Sequence, residues 1–113
     1  RAALPYVVDG RTRFITNAGG INPVAAGRAV VTTLKEAGAT GLVVATVVGD
    51  DVRPRAHDLG LSADVLFANA YLGARPIVDA LDAGAHVVVT GRVADASLFL
   101  APLVHEHKWA WND

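Results

Sequence analysis

Short apolar runs rich in valine alternate along this chain with longer segments in which apolar residues recur every three or four positions. The short runs are typical of strands buried on both faces of a parallel sheet, and the spaced pattern is typical of helices that pack one face on it. Strands are therefore predicted at residues 13–16, 42–48, 64–68 and 86–90. Helices are predicted at residues 23–37, 76–83 and 96–105, with a weaker one at residues 2–8.

The order of these elements predicts the fold class. Strands and helices alternate with a strand every ~20–30 residues, which is the pattern of doubly wound sheets with right-handed crossovers. We expect a three-layer α/β fold with a mostly parallel, Rossmann-like sheet of about four strands and flanking helices. Asn22 is predicted to cap the helix at residues 23–37, with Pro23 in its first position. Pro102 lies inside the last helical pattern and predicts a kink or a break there.

Each predicted strand ends in a small polar cluster, and the clusters lie at residues 17–20, 49–51, 69–71 and 90–95. In a parallel α/β sheet, the carboxyl ends of the strands line the crevice in which ligands bind. Because such clusters follow every predicted strand, the sequence predicts a ligand site along one edge of the sheet.

The first cluster contains Asn17, Gly19 and Gly20, and it joins a strand to the helix capped by Asn22. Adjacent glycines let the backbone approach a ligand closely and adopt positive φ angles, and a helix N-terminus favours negative charge. The cluster therefore indicates an anion or phosphate site, and the alternative is a tight turn with a good cap. It matches neither G-x-G-x-x-G nor G-x-x-x-x-G-K-[ST], so the nucleotide-binding fingerprints are absent.

Two carboxylates, Asp50 and Asp51, follow the longest apolar run. Carboxylates in this position can bind Mg²⁺, act as a general base or accept hydrogen bonds from ligand hydroxyls. Neighbouring residues of an extended backbone point in opposite directions, so we expect only one of the two, Asp50, to face the crevice. The alternative is a solvated turn in which an aspartate caps the next segment.

The third cluster offers an amide and a phenol, Asn69 and Tyr71. Both groups donate and accept hydrogen bonds, so they are suited to orienting a ligand or contacting an oxyanion. The alternative is that the asparagine caps a helix and the tyrosine packs at the edge of the domain.

The fourth cluster carries a permanent positive charge. Gly91 permits an unusual backbone turn, and the planar guanidinium of Arg92 suits carboxylate or phosphate. Asp95 is positioned to cap the next helix or to pair with Arg92, and Ser97 lies in the first turn of that helix. The alternative is an Arg92–Asp95 salt bridge that only fixes the loop.

Composition narrows the classes of protein and partner. The 113 residues suffice for one domain, and a hydrophobic content of 52% favours a well-buried core. A net charge of -1 gives no electrostatic case for binding nucleic acid or an anionic membrane. Because the chain has no cysteine, it has no disulfide, Cys-ligated zinc or thiol nucleophile. No apolar run is long enough to cross a bilayer and no signal-peptide pattern opens the chain, so we expect a cytoplasmic protein.

No metal or nucleophile motif accompanies the polar clusters. His105 and His107 are two residues apart and do not share a helix face, and no G-x-S-x-G motif occurs. The sequence therefore leaves the cofactor unknown. A first residue other than methionine and two tryptophans near the end lead us to expect a segment of a longer protein.

Four ordered motifs, at residues 15–23, 49–51, 68–74 and 89–98, resemble those of the acyclic terpene utilisation family. The resemblance implies a bacterial cytoplasmic protein of terpenoid or branched acyl-CoA catabolism. It also implies that residues 1–113 are a single α/β domain or an internal segment of the family's conserved domain. His86 departs from the pattern, since the resemblance leads us to expect an acidic residue there.

Together, the clusters and the resemblance imply a catabolic protein that acts on an anionic acyl-CoA-type substrate, with lyase, hydratase and hydrolase chemistry all open. The candidate catalytic residues are Asp50, Arg92 and Asp95. The candidate substrate-binding residues are Asn17, Gly19, Gly20, Asn22, Asp51, Asn69, Tyr71, Gly91 and Ser97. The alternative is a non-catalytic binding or assembly subunit beside an acyl-CoA carboxylase, and a nucleotide-binding domain is a third interpretation. A homo-oligomer or a complex with a partner subunit is compatible with the first two.

Overall fold

The computed structural model describes residues 2–62 and 64–112, which form four α-helices and three β-strands. The strands are β1 (Phe14–Thr16), β2 (Val44–Val47) and β3 (Val87–Thr90). The helices are α1 (Leu4–Val8), α2 (Pro23–Glu36), α3 (Arg75–Asp82) and α4 (Ser97–His107), and a short 3₁₀ helix covers Arg53–Arg55.

The strands form one open, all-parallel sheet with β3 in the centre. Val87 of β3 pairs with Phe14 of β1 on one side and with Val44 of β2 on the other. Every residue of β3 is buried, which accounts for its run of valines, because a central parallel strand is covered on both faces. The prediction of an α/β fold with a parallel sheet is confirmed, with three strands among the described residues instead of four.

The prediction of a strand at residues 64–68 is wrong. These residues form a turn and irregular backbone, and Leu66 and Phe67 are 83% and 60% exposed. Strand preference depends on a neighbouring strand and a covering layer, and this run has neither. Just beyond it, Asn69 and Leu72 make isolated bridges to Asp51 and Val93.

Helices cover both faces of the sheet. Successive side chains of β3 point to opposite faces, so Val87 and Val89 pack in one apolar cluster with Leu34 of α2. Val88 belongs to a second cluster, which includes Ile77 of α3 and residues of α4. Apolar residues of helices therefore pack on both faces of the sheet.

The residues Asn22 and Pro23 correctly predict where α2 begins, whereas Pro102 does not interrupt α4. The side-chain oxygen of Asn22 accepts a hydrogen bond from Ala25 N at 3.1 Å, and Pro23 is the first helical residue, as predicted. In contrast, α4 runs without interruption from Ser97 to His107, so of the predicted kink or break at Pro102 the break does not occur. Ala101 and Val104 are buried beside it, and such packing outweighs the loss of one helical hydrogen bond. None of the described helices is long and apolar enough to cross a bilayer.

Candidate functional site

The polar clusters meet at one edge of the sheet. Because the strands are parallel, the segments that follow β1, β2 and β3 leave the sheet on the same side. Residues 69–72 do not follow a strand, yet backbone hydrogen bonds bring them to the same place. Ala70 N donates to Asp50 O at 2.7 Å, and Leu72 N donates to Arg92 O at 3.2 Å. The third cluster therefore lies between the ends of β2 and β3, although the strand predicted before it does not form.

A cleft of about 260 Å³ opens at this edge, and we refer to it as the strand-end cleft. Its lining residues are Asn17, Gly20, Tyr71, Gly91, Arg92, Val93 and Asp95. All of these except Val93 are among the candidate site residues from the sequence. Val93 was not predicted as a site residue, because an apolar residue in a loop gives no indication of a role in binding or catalysis.

Arg92 and Asp95 bring opposite charges to the strand-end cleft. Both side chains are exposed, and no ion pair among residues 2–62 and 64–112 joins them. The salt bridge that offered a purely structural explanation of Arg92 is therefore absent from the described part of the chain. A guanidinium without a protein carboxylate partner is available to an anionic ligand.

Asp95 does not cap the helix that follows it, in contrast to the prediction. The cap position of α4 is Ala96, which makes no side-chain hydrogen bond, and Asp95 contributes only its backbone oxygen to Leu98 N at 3.3 Å. Asp95 is thus a lining residue of the cleft whose side chain has no capping role.

Asp50 is 2% exposed and is not among the residues that line the strand-end cleft. Its Oδ2 atom accepts a hydrogen bond from Arg92 N at 2.8 Å and another from Asn69 Nδ2 at 3.0 Å. A Cβ atom on Gly91 would overlap this carboxylate, so glycine is required there for the close approach. Asp50 therefore links the loop after β3 to the segment at residues 69–70.

Asp51 faces away from the strand-end cleft. It is exposed, and its Oδ1 atom accepts a hydrogen bond from Arg53 N at 3.0 Å at the start of the 3₁₀ helix. It also lines a separate hollow of about 50 Å³ together with Asn69 and Phe67. Its hydrogen bond lies at the start of the next segment, as in the alternative interpretation, although the cap position of that segment is Val52.

Gly19, Asn22 and Ser97 support the cleft without lining it. Gly19 N donates to Thr90 O at 3.0 Å, and a Cβ atom on Gly19 would overlap that oxygen and Pro23. The side chain of Asn22 is committed to capping α2, and Ser97 is buried in the first turn of α4. The contact between the β1 loop and Thr90 had no sequence signal, because it depends on the neighbouring position of β1 and β3.

The histidines near the chain end have separate partners. His105 Nδ1 lies 2.6 Å from Asp82 Oδ1, whereas the His107 ring stacks on Trp109 with centroids 5.3 Å apart. Within residues 2–62 and 64–112, no group of three or more His, Asp or Glu side chains is placed to hold a metal ion. His86 lies just before β3, where its Nδ1 accepts a hydrogen bond from Val43 N at 3.0 Å, at the end of the strand opposite to the cleft.

An open parallel sheet covered by helices, with a polar cleft beyond the carboxyl ends of its strands, is the arrangement of α/β proteins that bind small molecules. The profile of the acyclic terpene utilisation family protein AtuA matches residues 1–113, the whole chain. The protein therefore belongs to the acyclic terpene utilisation family, as the resemblance of its motifs predicts. Comparison with curated proteins and with solved structures gave no match.

Proposed function

We propose that this protein acts in terpenoid or branched-acid catabolism and binds an anionic acyl-CoA-type substrate in the strand-end cleft. The observation that carries the proposal is the Arg92 guanidinium, which lines a small polar cleft without an ion-pair partner among the described residues. Gly20 adds backbone to the cleft just before the N-terminus of α2, where negative charge is favoured.

The size of the cleft limits what it holds. Pockets for whole cofactors and drug-sized ligands measure roughly 300–1,000 Å³, and the strand-end cleft of about 260 Å³ falls below this range. It has room for one anionic group and a few carbons, so most of a coenzyme A moiety lies outside it. Arg92 binds the anionic group, which is a carboxylate of the acid or a phosphate of coenzyme A.

The other lining residues are suited to orienting a carbonyl group and to transferring a proton. Asn17 and Tyr71 have hydrogen-bonding side chains beside Arg92 and orient the acyl carbonyl. Asp95 is the carboxylate of the lining, so it is the group that takes up or delivers a proton. Lyase, hydratase and hydrolase reactions all use a carboxylate next to an oxyanion site, and the protein is assigned to none of them in particular.

Titration calorimetry with Arg92→Ala tests the proposal on the full-length protein. Isovaleryl-coenzyme A, coenzyme A and isovalerate serve as probes, so that the two sources of the anionic group are separated. Charge-assisted hydrogen bonds contribute about 1.5–3 kcal/mol, so we expect isovaleryl-coenzyme A to bind about 10- to 100-fold more weakly.

Arg28→Ala is the matched control, because Arg28 is an exposed arginine on α2 outside the cleft lining. Unchanged affinity in Arg28→Ala and a loss in Arg92→Ala support the proposal. Equal affinities in the two variants contradict it. A loss of isovaleryl-coenzyme A binding that coenzyme A shares assigns the phosphate to Arg92. Because the thioester has no free carboxylate, a loss that isovalerate shows and isovaleryl-coenzyme A does not assigns the carboxylate of the free acid.

A second candidate function, a non-catalytic binding or assembly subunit beside an acyl-CoA carboxylase, is favoured by the apolar surface. Leu66, Phe99 and Tyr6 are 83%, 74% and 67% exposed. Exposed apolar side chains that lie together in a patch are typical of surfaces that another protein covers. Turnover of isovaleryl-coenzyme A by the purified protein alone contradicts this function, whereas co-purification with carboxylase subunits and no turnover supports it.

A further inference from the structure

We infer that Asp50 is a positioning residue, which holds Arg92 at the strand-end cleft through the backbone of the loop after β3. The inference rests on the proposed function, in which Arg92 binds the anionic group of the substrate. It assigns to Asp50 a role other than the catalytic one that its place in the sequence predicts.

The hydrogen bonds of Asp50 reach both loops beside the end of β2. Oδ2 accepts from Arg92 N at 2.8 Å and from Asn69 Nδ2 at 3.0 Å, while the backbone oxygen accepts from Ala70 N at 2.7 Å. Three donors from two loops therefore converge on one residue. The bond to Arg92 N fixes the backbone of a residue that lines the cleft.

Burial makes this arrangement specific. Asp50 is 2% exposed, and a buried carboxylate is stable only where hydrogen-bond donors replace the lost water. Gly91 leaves free the space that the carboxylate occupies, since any Cβ atom there would overlap it. The Asp50 carboxylate and Gly91 thus form one contact, which sets the turn immediately before Arg92.

The contact between the Asp50 carboxylate and the loop affects ligand binding only through the position of Arg92. Asp50→Asn preserves the shape of the side chain but replaces a charged acceptor with a neutral amide, whose bonds to N–H groups are weaker. If the Arg92 loop loses its fixed position, the guanidinium spends less time where it meets the ligand. In a variant that lacks the Arg92 side chain, a less rigid loop no longer changes the affinity for the ligand.

The test is a double-mutant cycle on the full-length protein, with isovaleryl-coenzyme A as the titrated probe. Asp50→Asn is expected to weaken binding about fivefold, the effect of losing one ordinary hydrogen bond. In the Arg92→Ala background, Asp50→Asn is expected to cause no further loss, because coupled residues are not additive. Asp79→Asn is the matched control, since Asp79 is an exposed aspartate of α3 outside the cleft lining.

The outcomes separate the two proposals. If Arg92→Ala weakens binding but Asp50→Asn does not, the role of Asp50 is overturned and the proposed function stands. Losses that add fully in the double variant also overturn it, because a general structural defect acts in both backgrounds. If Arg92→Ala leaves the affinity unchanged, both proposals fail. Should Asp50→Asn not fold, Asn69→Ala removes one donor from the same oxygen and carries the same expectation in the same cycle.

Discussion

At the scale of single residues, the strand-end cleft combines two opposite charges that do not neutralise each other. Arg92 attracts an anionic ligand, and Asp95 in the same lining repels it. A carboxylate in that place weakens binding of an anion, and in the proposed function its role is proton transfer. Affinity and turnover should therefore respond in opposite directions when this carboxylate is neutralised.

Asp95→Asn tests this opposition. Removal of the repelling charge is expected to tighten binding of isovaleryl-coenzyme A about twofold to tenfold, since interactions between partly solvated charges amount to ~0.5–1.4 kcal/mol. Turnover, measured on the substrate that the enzyme converts, is expected to fall about 10²- to 10⁴-fold. Weaker binding in Asp95→Asn than in Asp79→Asn would show that Asp95 holds the ligand instead.

Residue types in the clusters were readable from the sequence, but their directions were not. Asn17, Gly20 and Tyr71 line the cleft as expected, because parallel strands bring their loops to one edge. Asp50 and Asp51 could be recognised as a pair, yet the burial of Asp50 beside the cleft loops depends on hydrogen bonds from Asn69 and the Arg92 loop. Those donors are 19 and 42 positions away, so local pattern holds no information about them.

At the scale of elements, tertiary packing decided where local signals were ambiguous. The valine runs of β2 and β3 and the capped start of α2 follow from sequence alone. The apolar run at residues 64–68 resembles a strand in composition, and the absence of a neighbouring strand and a covering layer distinguishes it. Pro102 is the converse case, because packing against α3 keeps α4 helical through it.

An electrostatic contact also links α3 to α4 and makes their association sensitive to acid. Asp82 at the end of α3 accepts from His105 of α4, and this hydrogen bond holds the pKa of Asp82 below its usual value of 3.8, with Lys108 adding to the effect. A lowered pKa in the folded state means that the contact stabilises the fold above pH 3.8. The contribution is lost as the pH falls through the lower folded-state pKa.

Asp82→Asn is therefore expected to lower the free energy of unfolding at neutral pH and to have little effect in stronger acid. Urea denaturation of both proteins at pH 7 and at pH values below 3.8 measures the difference. Asp79→Asn, on the same helix, serves as the reference for loss of a charge. A deficit of Asp82→Asn that persists unchanged into strong acid would contradict the assignment of the lowered pKa to this aspartate.

At the scale of the whole molecule, two apolar clusters on opposite faces of β3 carry the fold, while much apolar surface lies outside them. Leu81 of α3 is 2% exposed within one cluster, and Leu66 is 83% exposed. The strand-end cleft depends on the clusters, because the positions of its loops follow from the sheet between them. The exposed residues contribute to the surface that the second candidate function uses.

The pair Leu81→Ala and Leu66→Ala separates these contributions with one chemical change. Truncating a buried leucine removes its burial and leaves a cavity, so Leu81→Ala is expected to lower the free energy of unfolding by about 2–5 kcal/mol. Leu66→Ala is expected to change it by no more than about 0.5 kcal/mol, since the side chain is already in water. Urea denaturation of the protein by itself measures both. A large loss in Leu66→Ala under these conditions would show that residues 64–68 pack against the protein, and the apolar surface would then belong to its own core instead of to a partner.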